Sequence, residues 1–172
     1  MRPYLRSAVR KDTTDSEMHR IPANCAFTSQ HSSPDQAQMF GAPSTAGLAM
    51  PNGGLQVVNP SLDVYNIILA KMQSGSTASY EFADQSLLAD TFPGRWYALP
   101  YKYNALKTLR WQGVHHPIWR DEEVKNIHYI LSPKPWDPED DRDDADETHK
   151  WWRKHNADRL RHEKVDRIED GF

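Results

Sequence analysis

Apolar positions in this 172-residue chain recur with two periods, and neither period covers all of it. Leu55, Val57 and Val58 form a short apolar run between Gly53-Gly54 and Asn59-Pro60, which predicts a strand. In "SLDVYNIILAKMQSG", Val64, Ile67, Ile68 and Met72 recur at helical spacing. Ser61 or Asp63 can cap that helix, and Gly75 ends it. "ADQSLLADTF" predicts a shorter helix with Asp84 near its start, and "WYALPYKYNAL" a strand running into a turn. "NIHYIL" is a β-branched and aromatic strand. "THKWWRKHNADRLRHEKVDRIED" is a charged helix with many opposite-sign neighbours. Residues 1–45 show neither period and predict an irregular or disordered segment. Strands alternating with helices predict an α/β fold.

Composition narrows this picture. Hydrophobic residues are 38% of the chain and prolines number twelve, so part of it is expected to lie outside a packed core. The formal net charge of -3 does not supply the concentrated basic face of a nucleic-acid binder. No apolar run approaches the roughly 20 residues of a membrane span. The first twenty residues carry arginines without an apolar stretch, unlike a secretory signal, and Asp12, Asp15 and Glu17 do not suit a transit peptide. One cysteine, Cys25, cannot make an internal disulfide, which fits a reducing compartment and a cytoplasmic location.

Chemistry concentrates in "NIHYILSPKPWD", residues 126–137. His128 offers an imidazole, a common ligand for divalent metals such as Mn²⁺. Lys134 is a compact cation suited to a phosphate, and Pro133 and Pro135 restrict the backbone on either side of it. Taken singly, His128 reads more readily as a packed histidine, Trp136 as a core residue and Asp84 as a helix cap. A sharper role for Asp84 is a carboxylate beside a sugar hydroxyl, with the Gln85 amide next to it. Asn52 can present an amide, while Gly53 and Gly54 permit close approach; a bare Asn-Gly is also a common turn. His115 and His116 are adjacent, so on a strand they would face opposite ways and share no ion.

The order of four pieces changes those odds. "NGGLQVVNPS", "ADQSLL", "LPYKYN" and "HYILSPKPW" together resemble the C-terminal half of glycosyltransferase family 8, in its glycogenin and galactinol-synthase branch. The likeness spans about residues 45 to 136. It implies part of a nucleotide-diphospho-sugar transferase fold, the back half of a Rossmann-like mixed sheet. It also implies a hexose passed from a nucleotide sugar, UDP-linked, to a carbohydrate or protein acceptor with retention. By the resemblance His128 is a ligand of the Mn²⁺ on the diphosphate, and Lys134 contacts that diphosphate. Asp84 and Gln85 are then the catalytic residues beside the sugar, and Asn52 and Gly54 lie on the sugar-binding side.

The sequence also departs from the family pattern. Leu131 and Ser86 stand where the family has Gly, and Glu81 stands where many members have Asp. The family's upstream nucleotide-binding half, with its Asp-x-Asp metal motif, has no counterpart in residues 1–50. "DRD" and "DAD" lie at residues 141–143 and 144–146, in an acidic run, and are poor substitutes. The expected plan is therefore an irregular segment (1–45), a partial transferase domain (46–137), an acidic linker (138–147) and a charged helix (148–172). Such a chain is expected to be weak or inactive as a hexosyltransferase. The alternative is a non-catalytic remnant acting as a binding module. Trp151 and Trp152 give the last helix either a packing role or a protein or homodimer contact.

Overall fold

The computed structural model describes residues 24–137 and 146–167. The described residues include four α-helices: α1 (Pro34–Ala37), α2 (Leu62–Gln73), α3 (Ala83–Thr91) and α4 (Glu147–Asp166). Two short strands, β1 (Ala105–Leu106) and β2 (Ile127–His128), pair in parallel with Ala105 opposite Ile127 and Leu106 opposite His128. Parallel neighbours need a crossover. Here residues 107–126 supply it through two 3₁₀ turns, Lys107–Arg110 and Asp121–Glu123. The described residues thus form helices around one small parallel sheet.

The core lies beside this sheet. Tyr101, Ala105, Leu109, Ile118 and Trp119 are buried together with Ala37, and Phe27, Leu106, Val124, Ile127 and Trp151 pack against them. Trp136, which singly reads as a core residue, is instead 54% exposed. Ala37 belongs to the segment expected to be irregular through residue 45, and that expectation is corrected from residue 24 onward. The 3₁₀ turn Ala26–Gln30 and α1 fold onto the core, and Gln30, Gln38 and Ala42 are buried. Polar side chains bury when they are hydrogen-bonded. Gln38 Nε2 donates to the Ile118 carbonyl at 2.7 Å, while its Oε1 accepts from the Tyr101 hydroxyl at 3.1 Å. The Tyr101 oxygen in turn accepts from the Arg120 backbone N–H at 2.9 Å. A reading based on apolar periods does not detect a segment fixed by amides. Residues 1–23 and the linker residues 138–145 lie outside the described residues.

The helices end where their sequences direct. The Ser61 hydroxyl accepts from the Val64 N–H at 3.4 Å, and Gly75 takes φ +73° just past α2. Asp84 is not the cap of α3. Phe82 holds that position without a side-chain bond, and Asp84 sits exposed in the first turn. The strand expected at residues 55–58 is also absent. Val57 is 81% exposed and Val58 71%, and among the described residues no strand lies beside them to complete a ladder. α2 has no buried residue and contacts α3 and the 3₁₀ turn Ser76–Ser79.

A histidine pair, buried at His115 and half-buried at His31, joins the N-terminal segment to the crossover. His31 Nε2 and His115 Nδ1 are 2.7 Å apart, and Phe27 meets the His115 ring edge-on. Burial, with the neighbouring His31 charge, holds His115 down to about 4 from 6.5. Between those values the unfolded chain takes up a proton that the folded chain refuses. The part of the stability that His115 contributes is therefore full above pH 6.5, declines as pH falls toward 4, and changes no further below it. The loss should reach up to about 3 kcal/mol in denaturant titrations at stepped pH. His115→Gln should flatten that slope; an unchanged slope would contradict the assignment.

Candidate functional site

Three separate segments meet at the Gly53-Gly54 turn. A Cβ built on Gly53 would lie 2.2 Å from the Asp84 carboxylate, and one on Gly54 would lie 2.4 Å from Cε1 and 2.5 Å from Nδ1 of His128. Real contacts of that kind do not occur, so Gly54 is required by the close approach of the half-buried His128 ring, whereas at Gly53 the exposed Asp84 carboxylate can swing aside. The first turn of α3 presents Asp84 and Gln85, and Gln85 Oε1 accepts from the Gly53 N–H at 3.4 Å. Asn52 Oδ1 accepts from the Gly54 N–H and from Asn104 Nδ2, each at 2.9 Å. Asn104 immediately precedes β1, and His128 ends β2.

Five of the six residues singled out from the sequence thus come together: Asn52, Gly54, Asp84, Gln85 and His128. Asn104 and Gly53 complete the group. Asn104 lies inside the "LPYKYN" segment, but no local rule distinguishes its amide from that of an ordinary turn. Two polar atoms here are buried without a hydrogen-bond partner, Asn104 Oδ1 and His128 Nδ1. Burial, and then the positive charge of Lys134, pushes the His128 imidazole below its usual range.

Lys134 is placed differently. Its ammonium donates to the carbonyl of Tyr129, the residue after His128, and its backbone N–H donates to Asp137 at 2.7 Å. The lysine is close enough to influence His128 electrostatically, yet its ammonium is turned onto the main chain. The loop before it takes a left-handed turn at Leu131, with φ +59°, the position where the family pattern has Gly.

The resemblance assigns Mn²⁺ to His128. Such an ion needs several oxygen or nitrogen donors. Among the described residues no group of three or more His, Cys, Asp or Glu side chains is placed to hold one. The orphaned His128 nitrogen is a single donor, so the residues present do not make a metal site by themselves. Asp146, the last residue of "DAD", caps α4 through the Thr148 N–H at 2.9 Å and accepts from Trp111 Nε1 at 2.8 Å. The rest of both acidic motifs, residues 141–145, lies outside the described residues.

The α4 helix braces the His128 loop from behind. The Tyr129 hydroxyl donates to the Thr148 carbonyl at 2.7 Å, and Trp152 stands 5.8 Å from Trp136. Buried Lys107 donates to the Pro133 carbonyl at 2.5 Å and lies 3.2 Å from His149 Nε2. Burial, and then the Asp146 charge, pushes the Tyr129 hydroxyl up to about 12.

Comparison with known proteins fits this grouping. The profile described as "Glycosyl transferase family 8" matches residues 34–140, more than half of the chain. The chain belongs to glycosyl transferase family 8. The match takes in α1, earlier than the expected domain start at residue 46. The chain is 26% identical over 98 residues to the glycogenin of Komagataella phaffii, covering 49% of this chain and 24% of that protein. It is 30% identical over 87 residues to the glycogenin of Neurospora crassa, covering 49% of this chain and 12% of that one. The aligned part is thus a quarter or less of either relative. No solved structure matches. Among the described residues no helix is long and apolar enough to cross a membrane.

Two substitutions test the local geometry. In Gly54→Ala the new methyl displaces the His128 ring toward solvent. Its titration, followed by NMR of the imidazole, should then move up toward the ordinary value of 6.5. An unchanged titration would contradict the contact. At residue 131, Gly should be more stable than Ala by about 1 kcal/mol, because both lose the leucine side chain and only Gly relieves the left-handed backbone. Chemical denaturation of the two variants checks this; the usual order, Ala above Gly, would refute it.

Proposed function

We propose that this chain carries the sugar-side portion of a family 8 transferase site. The reaction would pass a hexose from a nucleotide sugar, UDP-linked, to a carbohydrate or protein acceptor with retention of configuration. The observation that carries this reading is the meeting of Asn52, Gly53-Gly54, Asp84-Gln85, Asn104 and His128 at one turn. Amide and carboxylate groups side by side suit the donors and acceptors of sugar hydroxyls. The two glycines leave their backbone open to close approach. The segments involved correspond, in order, to the family's ordered motifs.

In this reading Asp84 and Gln85 orient the transferred sugar, and Asn52 and Gly54 support them. His128 and Lys134 face the diphosphate, where a leaving group bearing this much charge must be neutralised before the bond breaks. Lys134 would have to leave the Tyr129 carbonyl to do so. No Asp-x-Asp precedes His128 in the sequence, and His128 is one donor where an ion needs several. Each missing oxyanion contact raises a barrier by roughly 2.7–4 kcal/mol. A chain with this set is therefore a weak transferase or an inactive one.

That weakness supports a second reading, a family 8 remnant that acts as a binding module. Calorimetric titration with UDP-glucose or UDP-galactose and Mn²⁺ separates the two, because millimolar or no affinity favours the module. A contact with a second copy or a protein through the tryptophan-rich α4 has less support. Trp151 packs against the core and Trp152 leans on Trp136.

The decisive assay is UDP release from either donor in the presence of Mn²⁺. The expected rate is no higher than that of His128→Ala. Release clearly above that control would overturn the inactive reading.

A further inference from the structure

A concave feature lies on the other side of β2 from Gly54. Successive strand residues face opposite ways. His128 turns toward Gly54, whereas its neighbours Ile127 and Tyr129 line a groove of about 420 Å³. Trp151 and Trp152 of α4 contribute to the same lining, together with Asn126, Lys125 and His155.

The aromatic walls are held in place. Trp152 stands 5.8 Å from Trp136 at 60°, Tyr129 meets Trp136 edge-on at 6.0 Å, and Arg110 covers the Trp151 ring at 5.8 Å. Rings fixed beforehand lose little entropy when a ligand arrives. The rim is the opposite in character. The side chains of Asn126, Lys125 and His155 have no hydrogen bond or ion pair among the described residues, so their polar groups remain available.

Aromatic walls with an amide-bearing rim match a particular ligand class. A pyranose ring has an apolar C–H face and a girdle of hydroxyls, each both donor and acceptor. The C–H face suits a fixed aromatic surface, and a side-chain amide can both give to and take from neighbouring hydroxyls. An anion is a poorer match, because Lys125 is a single exposed cation on the rim, and the Asp121 carboxylate that also lines the groove is already paired with Arg110. An extended peptide is poorer too, because strands of two residues offer it no ladder to extend.

We infer that the groove between β2 and α4 binds a neutral oligosaccharide, at a subsite separate from the constellation around Gly54. The inference rests on the glycosyltransferase reading, and it places part of an acceptor or product glycan behind the strand that carries His128.

Calorimetry of the full chain with maltoheptaose, and with cellohexaose and xylohexaose as alternatives, tests it. At least one should bind. Trp152→Ala should weaken that binding by about tenfold. Asn126→Ala, a substitution at an exposed residue, should weaken it several-fold. His128→Ala should leave it unchanged, and Trp152→Ala should leave any UDP-glucose signal unchanged. If Trp152→Ala loses its helical circular dichroism, Asn126→Ala alone decides. Absence of binding to all three saccharides overturns the inference whatever UDP-glucose does. Saccharide binding that neither groove variant weakens also overturns it. So does self-association lost in Trp152→Ala without any saccharide binding, which would assign the groove to a protein contact. Saccharide binding with no UDP-sugar response would favour the binding-module reading of this family 8 chain and leave the groove standing.

Discussion

A histidine ring lying against a glycine organises this molecule. The approach of His128 to Gly54 leaves no room for a Cβ, while Gly53 lies against the end of the exposed Asp84 carboxylate. Each contact joins segments far apart in sequence: a turn, the first turn of a helix and the end of a strand. The Asn52 side-chain carbonyl ties in a fourth piece through Asn104. Replace Gly54 and the His128 ring no longer shares one place with the side chains that could meet a sugar. The grouping depends on small size and close approach more than on hydrophobic burial, since Asn52, Gly54 and Asp84 are exposed.

Behind that turn the structure is held from the opposite side. The β1–β2 pair is only two residues long, which alone would be marginal. Its support comes from the core around Tyr101, Leu109 and Ile118 and from α4, which meets the His128 loop through Tyr129, Trp136 and buried Lys107. Surface ion pairs such as Lys71 with Asp90 add little, because water screens both charges. By contrast, α2 and residues 55–58 expose much of their apolar surface, with Val57, Val58 and Leu62 each more than two-thirds open. Packing in the described residues is concentrated in the half that includes β1, β2 and α4.

How far the sequence is readable follows from the kind of force at work. Helix α2 is legible because its apolar spacing, the Ser61 cap and the Gly75 stop are local signals, and α4 because its opposite charges fall at helical neighbours. The ordered motifs are legible because each is short and its residue types are unusual together, and Asn52, Gly54, Asp84, Gln85 and His128 do converge. Residues 24–45 are not legible, because Gln38 is buried through hydrogen bonds to Ile118 and Tyr101 far along the chain, and Gln30 through one to the Phe40 carbonyl. A strand at residues 55–58 is a misreading, because apolar composition does not reveal whether a neighbouring strand exists. Asp84 has the chemistry of a cap, although Phe82 holds that position. The orientation of Lys134 is hidden too, since nothing local indicates that its ammonium prefers the Tyr129 carbonyl. Leu131 is a different case. The family pattern marks it as a substituted glycine, and its left-handed backbone gives a physical reason for the original residue.

The central claim is that the imidazole of residue 128 rests on the backbone of residue 54 while the amides of residues 52 and 104 are joined beside it. Nuclear Overhauser measurements on the labelled chain in solution test this most directly. The account predicts cross-peaks from the His128 Hε1 to both Gly54 α-protons, and from the Asn104 side-chain amide protons to the Gly54 amide proton. A His128 ring showing contacts only to core side chains such as Leu109 or Ile118, and none to Gly54, would contradict it.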